Sequence, residues 1–177
     1  MINRTLTAGD LCTRDVVFTD RQMPLQESAR LMREQHVGCL VVVDPEPGAG
    51  PRPSRSSERS EPGGRGGDGP WGRIVVGVLT DRDLVTAVVA KDLDTHALRV
   101  GDVMSEKLVT ARESDSLLDA MAAMQYHGVR RLPVTNAQGH LVGLLALDDV
   151  LGVAAELLHT SMQVIETERQ KEQRARP

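Results

Sequence analysis

Leu6-Thr7-Ala8-Gly9-Asp10-Leu11-Cys12-Thr13-Arg14-Asp15-Val16-Val17 returns as Leu98-Arg99-Val100-Gly101-Asp102-Val103-Met104-Ser105-Glu106-Lys107-Leu108-Val109, displaced by a constant 92 positions (6 to 98, 17 to 109). A repeat on this scale means one supersecondary plan used twice, and it governs the reading of everything else. Two similar halves place ligand sites between them. The informative positions are therefore those where the copies differ.

Each half reads as strand, helix, strand, strand, helix. In the first, Val16-Val17-Phe18 is a short apolar strand. Pro24 opens a helix where its missing N–H costs nothing, and Leu25, Ala29 and Met32 give that helix one apolar face. Val37 to Val43 and Ile74 to Leu79 are β-branched runs that read as buried strands. A helix follows over Asp81 to Val89, with Thr80 as its N-cap. In the second half the strands are Leu108-Val109, Leu132-Pro133-Val134 and Leu141 to Leu145, with turn residues Asn136 to Gly139 between the last two. One helix begins at Ser116 and another near Asp148.

The offset of 92 holds as far as Asp44 against Asn136, then becomes 66 where Gly77 aligns with Gly143. The first half thus carries an insertion of 26 residues, the difference of the two offsets, within about 45–72. Its Pro, Gly, Ser and Arg content cannot bury enough apolar surface to offset ordering entropy, which predicts a disordered loop with Trp71 capping its edge. In the C-terminal segment, Leu151, Ala155, Leu158, Met162 and Ile165 are spaced 4, 3, 4, 3, a heptad seam on an extended helix. Two heptads leave open whether this helix packs on its own domain or makes a dimer contact.

Composition excludes several classes. Net charge is −4 and aromatics are 2%, which argues against nucleic acid, since neither phosphate-neutralising charge nor stacking platforms are present. No apolar run reaches the length of a membrane span. Met1 to Thr5 lacks a signal-like apolar stretch, and Cys12 and Cys39 form no CxxC motif, so the expectation is a cytoplasmic protein with reduced, buried thiols. His36, His96, His127, His140 and His159 match no metal-ligand spacing, and no nucleophile motif or P-loop occurs. The expectation is a protein that is not an enzyme, requires no cofactor and holds no metal.

The chemistry concentrates in Gly77-Val78-Leu79-Thr80-Asp81-Arg82-Asp83-Leu84. A buried strand ends in a hydroxyl, and a carboxylate follows three residues later in a first helical turn. Backbone N–H groups and the helix dipole there suit phosphate, and Asp83 can accept from both hydroxyls of a ribose. The same Thr-x-x-Asp spacing also serves as a plain helix cap.

That element, its counterpart Gly143-Leu144-Leu145-Ala146-Leu147-Asp148-Asp149, and the stretches Gly101-Asp102-Val103-Met104, Val37 to Asp44 and His127-Gly128-Val129-Arg130-Arg131-Leu132-Pro133-Val134 occur in order and in duplicate. In this the chain resembles a pair of CBS domains (the cystathionine-β-synthase-type repeats that form a Bateman module) in a stand-alone bacterial-type CBS domain-containing protein. The resemblance covers roughly residues 6 to 157 and implies an α+β fold. Tandem β-α-β-β-α repeats would pack as a pseudo-two-fold module, here with an extended C-terminal helix. The first repeat would span 6–92, the second 98–157 and the helical tail 158–177. It implies an adenosine-containing regulatory ligand (AMP, ADP, ATP or S-adenosylmethionine) in a cleft between repeats, a homodimer, and a separate, unidentified effector protein.

Carried over by position, the resemblance implies one complete ligand site. Thr80 and Asp83 would come from the first repeat and Arg130 and Arg131 from the second. Val16 and Val17 would be apolar walls for adenine, with Leu132 and Pro133 as neighbours. The reciprocal, weaker site would have Asp149, Leu108 and Val109. There Ala146 replaces the hydroxyl residue, and Gly38 and Cys39 stand where the arginines would be. The alternative is a ligand-independent interaction or scaffold module.

Overall fold

The computed structural model describes residues 5–45 and 73–175. Except for Pro45, the expected loop with Trp71 lies outside the described residues. Met1–Leu145 and Ala146–Pro177 are two compact units.

The first unit holds two three-stranded sheets of the same plan. In one, β1 (Phe18–Thr19) pairs in parallel with β2 (Cys39–Pro45), which pairs antiparallel with β3 (Arg73–Thr80). In the other, β4 (Ala111–Arg112), β5 (Arg131–Thr135) and β6 (Leu141–Ala146) lie in that order. The crossover helices are α2 (Leu25–Glu34), with Pro24 at its N-cap, and α5 (Leu117–His127), which Ser116 caps through Asp119 N–H. The α+β class and the doubled plan are those read from the sequence.

Two short helices precede the strands and were not read from the pattern: α1 (Ala8–Leu11) and α4 (Val100–Val103). They explain the repeated Gly-Asp. Asp10 Oδ2 accepts from Thr7 N at 3.1 Å and Asp102 Oδ2 from Arg99 N at 2.8 Å, so each aspartate closes its own helix start. The first strands also begin later than expected, at Phe18 rather than Val16 and at Ala111 rather than Leu108. The cause is a tight turn in each copy. Val16 N–H donates to Arg14 O and Leu108 N–H to Glu106 O, which bends the chain just before it joins a ladder.

The arms carrying α1 and α4 are exchanged between the sheets. Leu25 N–H donates to Leu98 O, Val100 N–H to Met23 O and Gly101 N–H to Arg21 O; the matching bonds are Leu117 to Leu6, Ala8 to Asp115 and Gly9 to Glu113. Ser105 pairs with Val78 just as Thr13 pairs with Leu144. Every bond has its partner at the repeat offset, so the pseudo-two-fold relation extends to the backbone. The arm reaches the core as well: Val100 and Met104 are buried with Leu25, Met32, Leu40, Val42, Leu79 and Val88. A second apolar cluster, Val41, Val43 and Val75, packs against Val16, Phe18, Leu108, Leu141 and Leu144 and joins the two sheets. Burying each such side chain contributes roughly 1.5–3 kcal/mol, so both clusters, each with residues from the two halves, hold the halves together.

After β3 the chain enters α3 (Asp81–Asp83), then one wide turn over Leu84–Val88 in which Val89 N–H reaches Leu84 O, then a tight turn over Val89–Lys91. The expected regular helix over Asp81 to Val89 is therefore wound in three ways. The second unit is α6 (Leu147–Ala175), a helix of 29 residues.

Candidate functional site

Thr80 ends β3 in extended backbone and caps α3. Its Oγ1 accepts from Asp83 N–H at 3.2 Å and donates to Asp83 Oδ2 at 2.6 Å, while Asp83 Oδ2 also accepts from Thr80 N–H at 2.9 Å. The capping reading of Thr-x-x-Asp is thus realised. It does not consume the carboxylate, which has two oxygens and about four acceptor positions. The box draws on Oδ2, and it fixes the side chain's direction.

This helix start is tied to β2. Asp81 N–H donates to Gly38 O at 3.1 Å, and Cys39 stands opposite Thr80 in the ladder. The approach is close: a Cβ at Gly38 would lie 2.9 Å from Asp81 Oδ2, so the Asp81 carboxylate would have to turn aside. The Cys39 thiol is buried, and burial pushes its pKa up. The charge of Arg131 opposes that shift, while those of Asp83 and Asp81 add to it. Arg131 begins β5 on the second sheet and is exposed. Arg130 is exposed, and among the described residues no side-chain hydrogen bond or ion pair engages either arginine. Both guanidinium groups retain their planar donors.

The apolar candidates divide. Val16 and Val17 are half-buried, Val16 against the cluster between the sheets and Val17 against the core under α2. Val17 O also accepts from Val41 N–H at 3.3 Å. Leu108 packs into the inter-sheet cluster opposite Val16, and Val109 is half-buried. Leu132 and Pro133 do not line any surface. Both are wholly buried, because β5 is the middle strand of its sheet.

The second helix start is the poorer one. Asp149 Oδ2 accepts from Ala146 N–H at 3.3 Å, and with no hydroxyl at 146 the box stops there. Within the first unit, Gly38 and Cys39 take the positions equivalent to Arg130 and Arg131 at the offset of 92.

Two features escaped the sequence pattern. Asp81 puts a second carboxylate beside Asp83, and its only trace in the sequence is the doubled acid of Thr-Asp-Arg-Asp. Gly77 and Gly143 serve more than alignment. A Cβ at Gly77 would meet Ser105 O at 2.8 Å, and one at Gly143 would meet Thr13 O at 2.9 Å and Cys12 Sγ at 2.5 Å. These glycines let each exchanged arm lie against the other half's strand.

The CBS domain family matches residues 8–48 and 100–156. The chain belongs to that family. The CBS domain-containing protein YhcV of Bacillus subtilis is 32% identical over 141 residues, covering 80% of each chain. A structure of a putative signal-transduction protein with CBS domains from Burkholderia ambifaria superposes with a TM-score of 0.58 at 26% identity, over 80% of this chain and 83% of that one. The cytosolic domain of the Mg2+ channel MgtE, solved in complex with ATP, does so with a TM-score of 0.59 at 25% identity, over 84% of this chain and 48% of that one. The paired CBS repeats read from the sequence are thereby shown. No helix among the described residues is long and apolar enough to cross a membrane.

Proposed function

We propose that this CBS pair is a regulatory module that binds an adenine nucleotide at the Thr80–Asp83 helix start and relays the bound state to a separate effector protein. The observation that carries it is the Thr80–Asp83 box, which fixes a carboxylate with acceptor positions to spare at a helix start. A carboxylate held by a capping box and a guanidinium across the cleft suit a ribose and a phosphate on one ligand. Arg130 adds a second phosphate donor. Val16 and Val17 supply the apolar side for adenine. The ATP complex of the MgtE cytosolic domain supports the ligand class. At the second helix start, Asp149 keeps a carboxylate but Ala146 brings no hydroxyl, which makes it the weaker place for a ribose. The protein works as a homodimer in the cytoplasm, in keeping with Cys12 and Cys39 as free, buried thiols.

A second reading, a ligand-independent interaction module, is favoured by α5. Its outward Leu118 and Tyr126 are 76% and 85% exposed where α2 has Gln26 and Glu34. Thermal unfolding with adenosine, AMP, ADP and ATP separates the two. A nucleotide at 100 times its dissociation constant adds about 2.7 kcal/mol to stability. A shift with a phosphate-bearing ligand is expected, and no shift with any of the four would favour the interaction module.

A further inference from the structure

We propose that α6 of one chain packs antiparallel against α6 of a second copy, through the seam Leu151, Ala155, Leu158, Met162 and Ile165. The inference rests on the reading of the protein as a homodimer and names the surface and direction of that pairing. With 29 residues, α6 is about 43 Å long at 1.5 Å per residue. All five seam residues are exposed, the four large ones by 56% to 69%. A helix of this kind draws most of its stability from packing an amphipathic face, and this face is spaced for knobs-into-holes contact. Leu157 and Val164 extend the apolar stripe to one side, past the small residues Ala154 and Ser161, which leave room for a close neighbour.

The residues themselves choose the direction. In a parallel pair Ala155 would face Ala155 of the second copy, leaving a gap. Arg169, the next seam position after Ile165, would face a second Arg169. In an antiparallel pair centred between Leu158 and Met162, Ala155 faces Ile165 and Leu158 faces Met162. Of the four apolar layers, the two outer ones pair small Ala155 with large Ile165 and the two inner ones pair Leu158 with Met162, so no layer is left with a gap. The same register lays the apolar stem of each Arg169 over Leu151 and keeps the two guanidinium groups apart.

Light scattering on the full chain should give a dimer mass, and Leu158→Glu should give a monomer with the same unfolding temperature for the folded body. A monomeric wild type would remove the homodimer reading together with this one. A Leu158→Glu chain that stays dimeric would remove only the α6 contact. For direction, chains carrying Leu158→Cys are mixed with chains carrying Met162→Cys under mild oxidation. The mixed disulfide should dominate, whereas a prevailing disulfide between two Met162→Cys chains would show a parallel pair and overturn the proposal.

Discussion

The two helix starts, Thr80 to Asp83 and Ala146 to Asp149, share one pattern and differ in what they can hold. At the first, a hydroxyl and a carboxylate close three hydrogen bonds between 2.6 and 3.2 Å. At the second, one bond of 3.3 Å remains. The arginines diverge in the same sense, with Arg130 and Arg131 in the second repeat and Gly38 and Cys39 at the equivalent positions of the first. A duplicated fold keeps its backbone relation as long as the exchanged arms keep their bonds. Its surface chemistry is under no such constraint, and here one helix start keeps the hydroxyl that the other lacks.

The contrast in charge is the easiest to break. Arg131→Gln should weaken binding of ATP by about 10- to 100-fold, the scale of a charge-assisted hydrogen bond of about 1.5–3 kcal/mol, and leave adenosine binding unchanged. Equal losses for both ligands in calorimetric titrations would mean that Arg131 supports the fold and does not meet phosphate.

The shared backbone predicts equal damage on both sides. Gly77→Ala and Gly143→Ala should each destabilise by about 1–3 kcal/mol, because the new Cβ meets backbone of the arm that crosses it. Gly152→Ala, on α6 with nothing within 4 Å of a new Cβ, should stabilise by up to about 1 kcal/mol. Denaturant unfolding reads all three, and a harmless Gly143→Ala would break the equivalence of the arms.

The caps predict opposite signs. Thr80→Ala should cost about 0.5–2 kcal/mol, and Ala146→Thr should recover part of such a sum by completing the second box. No gain from Ala146→Thr would mean that the second helix start cannot form the box. The smallest expected effect lies at the ends of the crossover helices. His36 sits at φ 54° where its counterpart Gly128 sits at φ 67°. His36→Gly should stabilise by up to about 1 kcal/mol, because only glycine enters the left-handed region without a Cβ penalty. An unfolding midpoint that does not rise would count against that penalty.

Most of the architecture was legible because the repeat made each weak signal count twice. Pro24 and Ser116 marked the two helix starts, and the β-branched runs marked β2 and β3. The exchange of the arms was not legible. The Gly-Asp of residues 9–10 and 101–102 looks local in the chain, while its glycine lies against Glu113 of the other half in one case and Arg21 in the other. The burial of Leu132 and Pro133 was missed for a related reason. Strand order, which puts β5 in the middle of its sheet, is not written in the strand's own residues. Thr80, Asp83 and Arg131 were legible as chemistry, but that the box draws on a single carboxylate oxygen of Asp83 required three dimensions.

Calorimetric titration of ATP into the wild type, Asp83→Ala and Asp149→Ala tests the asymmetry of the two helix starts most directly. The prediction is one tight site per chain, weakened at least about 10-fold by Asp83→Ala, the low end of what losing a bonded carboxylate costs, and little changed by Asp149→Ala. Two equivalent sites, or equal losses in both variants, would contradict it.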